Sequence, residues 1–260
     1  MLVERILTAL VLLVPVVGIM LVGGWPLIAL AVLCFGIINY EFFSFAATSR
    51  RERGLQLVLC SLLLPFGFLC WGLPGMSGGL VLAVVLVLLV SILDVEAQRH
   101  QGDYQRFLPG AFVGLGYTGV LGSCLVIAAA ELPGALLLWL LLGVMGADTF
   151  AYFGGRAFGG PKLAPRISPN KTVSGGLCGL VGAVAGIWLG SLIFGFPFGI
   201  VRIIAFGVLV GVMAIFGDLA ESLLKRLYEV KDAGSLLPGH GGLLDRVDAL
   251  LFAVPVLFLV

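Results

Sequence analysis

Long apolar runs separated by short charged segments constrain this chain more than any other feature. Only 11% of its 260 residues are charged and 60% are hydrophobic, whereas a soluble domain carries about 25% charged residues. A water-soluble domain of this size needs a charged surface, and the chain has too few charges to form one. Because about 20 apolar residues cross a bilayer as a helix, the pattern predicts an all-α, polytopic integral membrane protein.

Nine segments are apolar enough to be interpreted as membrane spans. They lie near residues 6–22, 26–46, 55–73, 78–95, 107–129, 134–155, 174–194, 201–225 and 244–260. The first segment is interpreted as an uncleaved span, because no small-x-small cleavage site follows it and further apolar segments come after it. The last segment is short for a span, so either it tilts in the membrane or the natural chain continues beyond it.

The positive charges alternate between loops. Of the 15 Lys and Arg residues, only Arg202 lies outside the N-terminus and the loops after the second, fourth, sixth and eighth predicted spans. Cytoplasmic loops carry an excess of Lys and Arg. The pattern therefore predicts that these loops and the N-terminus are cytoplasmic and that the C-terminus is external.

Charge and cysteine usage exclude several classes of function. The net charge of +1 gives no basic field for nucleic acid, so no nucleic-acid partner is expected. The five cysteines stand singly in apolar segments, which is typical of buried, unreactive cysteine. Without a His and Cys cluster, the sequence does not predict a zinc site.

The loops after the sixth and eighth predicted spans contain more glycine, charged and hydroxyl residues than a connecting loop needs. They combine glycine, both charge signs and hydroxyl groups, in residues 154–160, 168–172, 231–232 and 238–248. Glycine lets backbone N–H groups approach an anion closely, while Lys and Arg supply the opposite charge. These are the components of a phosphate site, although neither loop is a Walker P-loop.

Two carboxylates lie below these loops, inside the predicted spans. Asp148 lies about 12 Å deeper than Arg156, and Asp218 lies about 10 Å deeper than Lys225, at 1.5 Å per helical residue. An intramembrane Asp costs about 2.5–3.5 kcal/mol on insertion scales and usually faces a polar cavity. Both acids are therefore candidate functional residues.

Spacing places further polar residues beside these acids. Asp218, Ser222 and Lys225 fall on one helical face, and Asp245 and Asp248 share a face if the last helix begins near Asp245. Oxygen ligands beside phosphate-binding cations suit Mg²⁺, which is usually held by one or two carboxylates together with substrate phosphates. The sequence therefore predicts convergence of these aspartates at the cytoplasmic ends of the last two spans.

Other interpretations of the acids remain open at this point. The aspartates could form buried ion pairs with Lys225 and Arg246, and Glu41 in the second span is a weaker candidate for substrate chemistry. Intramembrane acids also mark ion pathways in transporters. A transporter would usually show repeat symmetry, whereas here the acids cluster in the C-terminal half.

The spaced polar residues of the C-terminal half form one long motif. Its members are Ser222, Lys225, Arg226, Lys231, Asp232, Pro238, Gly239, His240, Gly241, Gly242, Asp245, Arg246 and Asp248. This motif resembles the signature of the phosphatidate cytidylyltransferases, also called CDP-diacylglycerol synthases. Upstream, Asp148, Thr149, Ala151, Tyr152, Gly155, Arg156, Phe158 and Gly159 resemble the motif that this family carries in its sixth span.

The chain departs from the family pattern at two positions. The family usually has S-P-K-K-T where this chain has Asn170 as the third residue. It usually has a Glu shortly after that Thr, where this chain has Ser174. An essential role for either family residue is not expected to carry over.

The resemblance implies transfer of CMP from CTP to phosphatidate, giving CDP-diacylglycerol and pyrophosphate. It further implies Mg²⁺ as cofactor, and it leaves open a second metal, a monovalent cation and a homodimer. The expected location is a bacterial-type inner membrane. Residues 1–130 are expected to form a lipid and assembly scaffold, and residues 131–260 the catalytic region with its two cytoplasmic loops.

The resemblance also assigns roles to residues. Asp218, Asp245 and Asp248 are expected to hold the metal and, with Lys225, to be catalytic. The residues expected to bind substrate are Asp148, Tyr152, Arg156, Ser168, Lys171, Thr172, Ser222, Arg226, Lys231, Asp232, His240, Gly241, Gly242 and Arg246.

Two related classes of enzyme fit the sequence less well. A CTP-dependent lipid kinase of the dolichol-kinase kind faces a similar CTP-binding task, but the complete segment 238–248 favours the cytidylyltransferase. A CDP-alcohol phosphotransferase is disfavoured, because its signature begins with Asp-Gly and this chain has no Asp-Gly dipeptide.

Overall fold

The computed structural model describes residues 14–46, 51–96, 104–234, 236 and 241–260, and most of these are helical. Residues 14–22 are helical. The remaining elements are α1 (Gly24–Ala46), α2 (Arg51–Glu96), α3 (Tyr104–Gly114), a π-helix (Leu115–Leu121), α4 (Gly122–Glu131), α5 (Gly134–Phe158), β1 (Lys162–Ala164), β2 (Ser168–Thr172), α6 (Val173–Phe194), α7 (Ile200–Leu227), α8 (Leu244–Ala253) and a 3₁₀ helix (Val254–Leu259).

Six helical stretches in the described part are long and apolar enough to cross a membrane. They are Gly24–Ala46, Gly54–Leu93, Phe107–Glu131, Gly134–Phe158, Val173–Phe194 and Ile200–Leu227. The protein is therefore a multi-pass helical membrane protein, as predicted. The count of nine is not confirmed, because the first predicted span lies partly outside the described residues. In addition, α8 and the following 3₁₀ helix have only 10 and 6 residues.

The longest helix, α2, reverses direction within its length. Its 46 residues are interrupted at Trp71 and Gly72, and Gly72 has φ +66° and ψ −151°, a conformation that glycine adopts without steric cost. On either side of this break, Gly67 approaches the carbonyl of Gly75, and Gly79 approaches the carbonyl of Leu63. The two halves therefore pack antiparallel, and the reversal falls close to the predicted break between residues 73 and 78.

The chain forms two compact units. The first consists of Met1–Leu27, Leu132–Glu229 and Arg246–Val260, and the second of Ile28–Glu131 and Val230–Asp245. Each unit is therefore built from segments that are distant in sequence. The predicted division into residues 1–130 and 131–260 stays a prediction.

In the first unit, α5 and α6 pack closely because glycines line their contact. Gly182 lies directly against the carbonyl of Gly146, and small residues allow such close approach between membrane helices. Trp139 on α5 donates its indole N–H to the Ile187 carbonyl at 2.7 Å. Its ring also stacks on Phe206 of α7 with 4.5 Å between centroids, so one buried side chain joins three helices.

In the second unit, α1 packs on the π-helix through a buried polar contact. The Thr118 hydroxyl donates to Asn39 Oδ1 at 2.9 Å, and both side chains are fully buried. The rings of Phe42 and Tyr117 meet edge to face with centroids 5.7 Å apart. A satisfied hydrogen bond allows this polar pair to be buried without a large cost.

A two-stranded hairpin occupies the loop between α5 and α6, which the all-α prediction did not anticipate. Strands β1 and β2 pair antiparallel, with Lys162 opposite Thr172 and Ala164 opposite Ser168. Thr172 then caps α6 by accepting the Gly175 N–H at 3.1 Å. The strands are too short to show a two-residue periodicity in the sequence.

Candidate functional site

Asp218, near the C-terminal end of α7, is the centre of a polar cluster in the first unit. It forms an ion pair with Lys171 of β2, and Ser222 Oγ lies 3.5 Å from its Oδ1 on the same helix. The β-hairpin is therefore the element that brings Lys171 to the acid. Lys171, which the sequence assigned to phosphate, here neutralises a carboxylate.

Two further carboxylates share this cluster. Asp248 on α8 interacts electrostatically with Asp218, Asp148 and Lys225, and Asp148 on α5 interacts with Asp218 and Lys171. The Asp248 side chain is only 8% exposed. Three helices thus bring three acids together. The predicted convergence also included Asp245, which belongs to the second unit, and as a whole it stays a prediction.

A glycine allows α7 and α8 to approach each other at this point. A β-carbon added at Gly217, the residue before Asp218, would lie 2.7 Å from the backbone oxygen of Asp248. Any larger residue at position 217 would push the two helices apart. The separation of the two acids therefore depends on this glycine.

Lys225 forms an ion pair that sequence reasoning did not assign. Its ammonium lies 2.7 Å from Glu221 Oε2, one helical turn away on α7. Glu221 is only 2% exposed, so the pair is largely removed from solvent. The i, i+4 spacing of an acid and a base was the signal in the sequence that could have found it.

The junction between β2 and α6 is held by hydroxyl groups. The Ser174 hydroxyl donates to the Gly159 carbonyl and lies 3.1 Å from the Thr172 hydroxyl. Ser174, one of the two departures from the family pattern, therefore fixes the first turn of α6 to the C-terminal end of α5. Asn170, the other departure, is exposed on β2.

The arginines of the first unit lie at its surface. Arg156 donates to the Tyr152 hydroxyl at 3.3 Å, and Arg226 Nε lies 3.5 Å from the Ile167 carbonyl, just before Ser168. Both are exposed, as is Arg246 on α8. Exposed guanidinium groups can reach a phosphate that arrives from solution.

In the second unit, Asp245 organises the loop that precedes α8. Its carboxylate accepts the Ala233 N–H at 3.1 Å and the Gly242 N–H at 2.8 Å. Gly241 has φ +80°, and a β-carbon there would lie 2.9 Å from Asp245 Oδ2. The two glycines that the sequence assigned to substrate thus also serve the loop backbone.

The other predicted residues of this loop have different positions. Lys231 and Asp232 are exposed, whereas His240 lies outside the described residues. Helix α8 begins at Leu244, close to the predicted start near Asp245. Asp245 and Asp248 therefore stand three residues apart on one short helix, as expected.

Among the described residues, no three His, Cys, Asp or Glu side chains are grouped closely enough to hold a metal ion by themselves. A magnesium site completed by substrate phosphates needs only one or two carboxylates. The predicted metal-binding role of Asp218, Asp245 and Asp248 stays a prediction.

The fold and the polar cluster define a class of protein: a multi-pass helical membrane protein with acids and cations gathered around its helix ends. Comparison with known proteins gives the family. The model of the cytidylyltransferase family matches residues 3–260. The chain belongs to this family.

Several similar proteins are named phosphatidate cytidylyltransferase. The one from Brucella abortus is 37% identical over 258 residues, covering 98% of this chain and 91% of that protein. One from Helicobacter pylori is 34% identical over 252 residues, covering 96% and 88%. Phosphatidate cytidylyltransferase 4, chloroplastic, of Arabidopsis thaliana is 34% identical over 274 residues, covering 92% and 68%.

Proposed function

We propose that this protein transfers CMP from CTP to phosphatidate. A phosphate oxygen of phosphatidate bonds to the α-phosphorus of CTP, the bond from that phosphorus to the oxygen bridging to the β-phosphate breaks, and pyrophosphate leaves. The observation that carries the proposal is similarity over 98% of the chain to a relative named phosphatidate cytidylyltransferase. The attacking phosphate is already an anion, so the reaction needs positioning and charge neutralisation more than a strong base.

The cations of the cluster are suited to hold the phosphates. Lys171 and Lys225 lie partly buried beside carboxylates, so each can exchange its acid partner for a phosphate oxygen. Arg156, Arg226 and Arg246 are exposed and can bind phosphate with two parallel hydrogen bonds. These five side chains would orient CTP and stabilise the negative charge that grows on pyrophosphate.

The donor set of the first unit fits Mg²⁺. Asp148, Asp218 and Asp248 are oxygen ligands whose charges act on one another, and a hard divalent cation relieves such repulsion. Asp218 and Asp248 would hold the metal, which when bound neutralises charge on the transferring phosphate. Asp245 already accepts two backbone N–H groups. We also propose that it is a ligand of the metal.

The lipid and the membrane arrangement complete the proposal. Phosphatidate would keep its acyl chains in the bilayer while its headgroup enters from the cytoplasmic side, and pyrophosphate would leave to the cytosol. We also propose that the protein has nine spans with a cytoplasmic N-terminus and lies in a bacterial-type inner membrane. We further propose that it forms a homodimer. Support for the orientation comes from the distribution of Lys and Arg.

A labelling assay tests the proposal against a lipid kinase. Purified protein in detergent is given phosphatidate, Mg²⁺ and CTP labelled with ³²P at either the α- or the γ-phosphate. Cytidylyl transfer makes the lipid radioactive only with α-labelled CTP, because the γ-phosphate leaves in pyrophosphate. Lipid labelled from γ-labelled CTP would instead identify a kinase and contradict the proposal.

A further inference from the structure

Glu41 of α1 binds the N-terminal end of α8 although the two are more than 200 residues apart in sequence. Its carboxylate accepts the Leu243 N–H at 3.0 Å through Oε1 and the Leu244 N–H at 2.8 Å through Oε2. The side chain is only 5% exposed. All three residues belong to the second compact unit, so this contact is internal to one body.

Two glycines leave room for this carboxylate. A β-carbon added at Gly234 would lie 2.6 Å from Glu41 Oε1, and one added at Gly242 would lie 2.8 Å from Oε2. Alanine at either position would therefore push the carboxylate away from the amides that it accepts. The loop before α8 is thus shaped around the Glu41 side chain.

The contact stabilises the start of α8. The first N–H groups of a helix have no acceptor within the helix, and a negative charge near them is stabilised by the helix dipole. Hydrogen bonds to a charged carboxylate are also stronger than neutral ones. Glu41 therefore acts as a cap for α8, supplied by a distant membrane helix.

Asp245 binds the same loop from within α8. It accepts the N–H groups of Ala233 and Gly242, and its charge is close enough to act on Glu41. Two carboxylates thus hold the same loop through different backbone amides. Any loss at Glu41 is expected to move the loop and the first turn of α8 together.

We propose that Glu41 is a positioning residue for the reaction: it fixes the beginning of α8 and thereby sets the direction of Asp245. This inference rests on the proposed function, because that function gives Asp245 its role. Glu41 touches neither reacting group in the proposal and acts only through α8.

The test uses Glu41→Gln in the full-length protein, in detergent and in lipid nanodiscs. Glutamine keeps the size of the side chain but removes the charge and one of the two acceptors. Amide hydrogen exchange of a peptide covering residues 241–246 should become about tenfold faster, the loss expected for a charged hydrogen bond. In the same samples kcat per folded molecule should fall about 10²-fold, as for a small misplacement of catalytic groups, while KM for CTP stays within about twofold.

Glu131→Gln is the matched control. Glu131 is an exposed carboxylate at the end of α4 in the same unit, so its substitution should change neither the exchange nor kcat. A merely structural role for Glu41 would lower the yield of folded protein but leave kcat per folded molecule unchanged, and that result would overturn the proposal. Unchanged exchange in Glu41→Gln would overturn the cap itself.

A second variant keeps Glu41 and moves it. Gly234→Ala should reproduce the faster exchange and the lower kcat. In a Glu41→Ala background the same substitution should have little further effect, because the two changes act on one contact. Additive effects would overturn the proposal. If the wild-type protein does not label lipid from α-labelled CTP, the proposed function fails by itself, while the exchange measurement still decides whether Glu41 caps α8.

Discussion

At the scale of single residues, the acids of the first unit lie close to one another and to neighbouring cations. Lys171 pairs with Asp218 and Lys225 pairs with Glu221, while Asp148 and Asp248 also lie within reach of the Asp218 charge. Such clustering is costly unless a positive charge balances it. Under the proposed function, such a cluster would receive a metal ion or exchange ion-pair partners when a substrate binds.

From this arrangement we expect the charge of Asp218 to matter most for turnover. We expect Asp218→Asn to lower kcat about 10²–10³-fold, the usual cost of removing one preorganised electrostatic group. Asparagine preserves the size of the side chain, so the protein should remain monodisperse in detergent. The measurement is release of labelled lipid from α-labelled CTP.

Asp248→Asn should behave in the same way, and the double variant should be barely worse than either single variant, because groups that act as one unit are strongly non-additive. Glu96→Gln, at an exposed helix end, serves as the control and should match the wild type. If the single Asp variants were well folded and substantially active, the shared role of the two acids would be wrong.

Metal removal is a separate prediction at this scale. We expect chelation by EDTA to abolish turnover and added Mg²⁺ or Mn²⁺ to restore it, because the proposed ligands are carboxylate oxygens. Lipid labelling before chelation, after chelation and after each addition measures this. Full activity in a metal-free, EDTA-containing buffer would remove the metal from the proposal.

At the scale of elements, glycine contacts decide how α5 and α6 pack. A β-carbon at Gly182 would lie 2.6 Å from the Cβ of Phe150 and also against the Gly146 carbonyl, whereas one at Gly176 would find its nearest neighbour, Ile215 Cδ1, at 3.9 Å. The two glycines lie on the same helix but face different amounts of space. Only Gly182 is required by close packing.

We therefore expect Gly182→Ala to destabilise the protein by about 1–3 kcal/mol, the typical cost of overpacking, and Gly176→Ala to have little effect. The thermal midpoint in detergent, followed by size-exclusion fluorescence, compares the two. Because both substitutions add the same methyl group to the same helix, differences in helix propensity largely cancel. Equal midpoints would show that the α5–α6 contact tolerates an extra atom.

At the scale of the whole molecule, we expect charge to set the orientation in the membrane. We expect reporters fused after Arg53, Gln105 and Lys162 to be cytoplasmic and reporters at Pro74 and Gly134 to be external, because Lys and Arg are retained on the cytoplasmic side. The reversal of α2 at Trp71 and Gly72 places Pro74 just after a turn between two antiparallel segments. Paired phosphatase and fluorescent-protein fusions measure both states.

A cytoplasmic signal at Gly134 would contradict the proposed nine spans. The matched position is Lys162. It follows the end of α5, whereas Gly134 begins this helix, so the two positions should give opposite signals. Because each additional span inverts every later loop, one miscounted helix would exchange the signals at these two positions.

The sequence alone determined the class of fold and the family. Apolar runs of this length cross the membrane. They do so as helices, because lipid offers no hydrogen-bond partners for backbone N–H and C=O groups. The spaced motif from Ser222 to Asp248 likewise carries its information in residue identity, which is why the family could be recognised from the sequence. The start of α8 at Leu244 also lies where the acidic spacing predicted it.

Only the tertiary structure decided which polar groups meet. No sequence pattern pairs Lys171, on the second strand of the β-hairpin, with Asp218 of α7. Nor does one place Glu41 at the N-terminal end of α8. Sequence periodicity reports which face of a helix is apolar, but it does not report which distant segment lies against that face. Contacts between distant residues arise from packing around glycines and turns, and a local sequence pattern does not encode them.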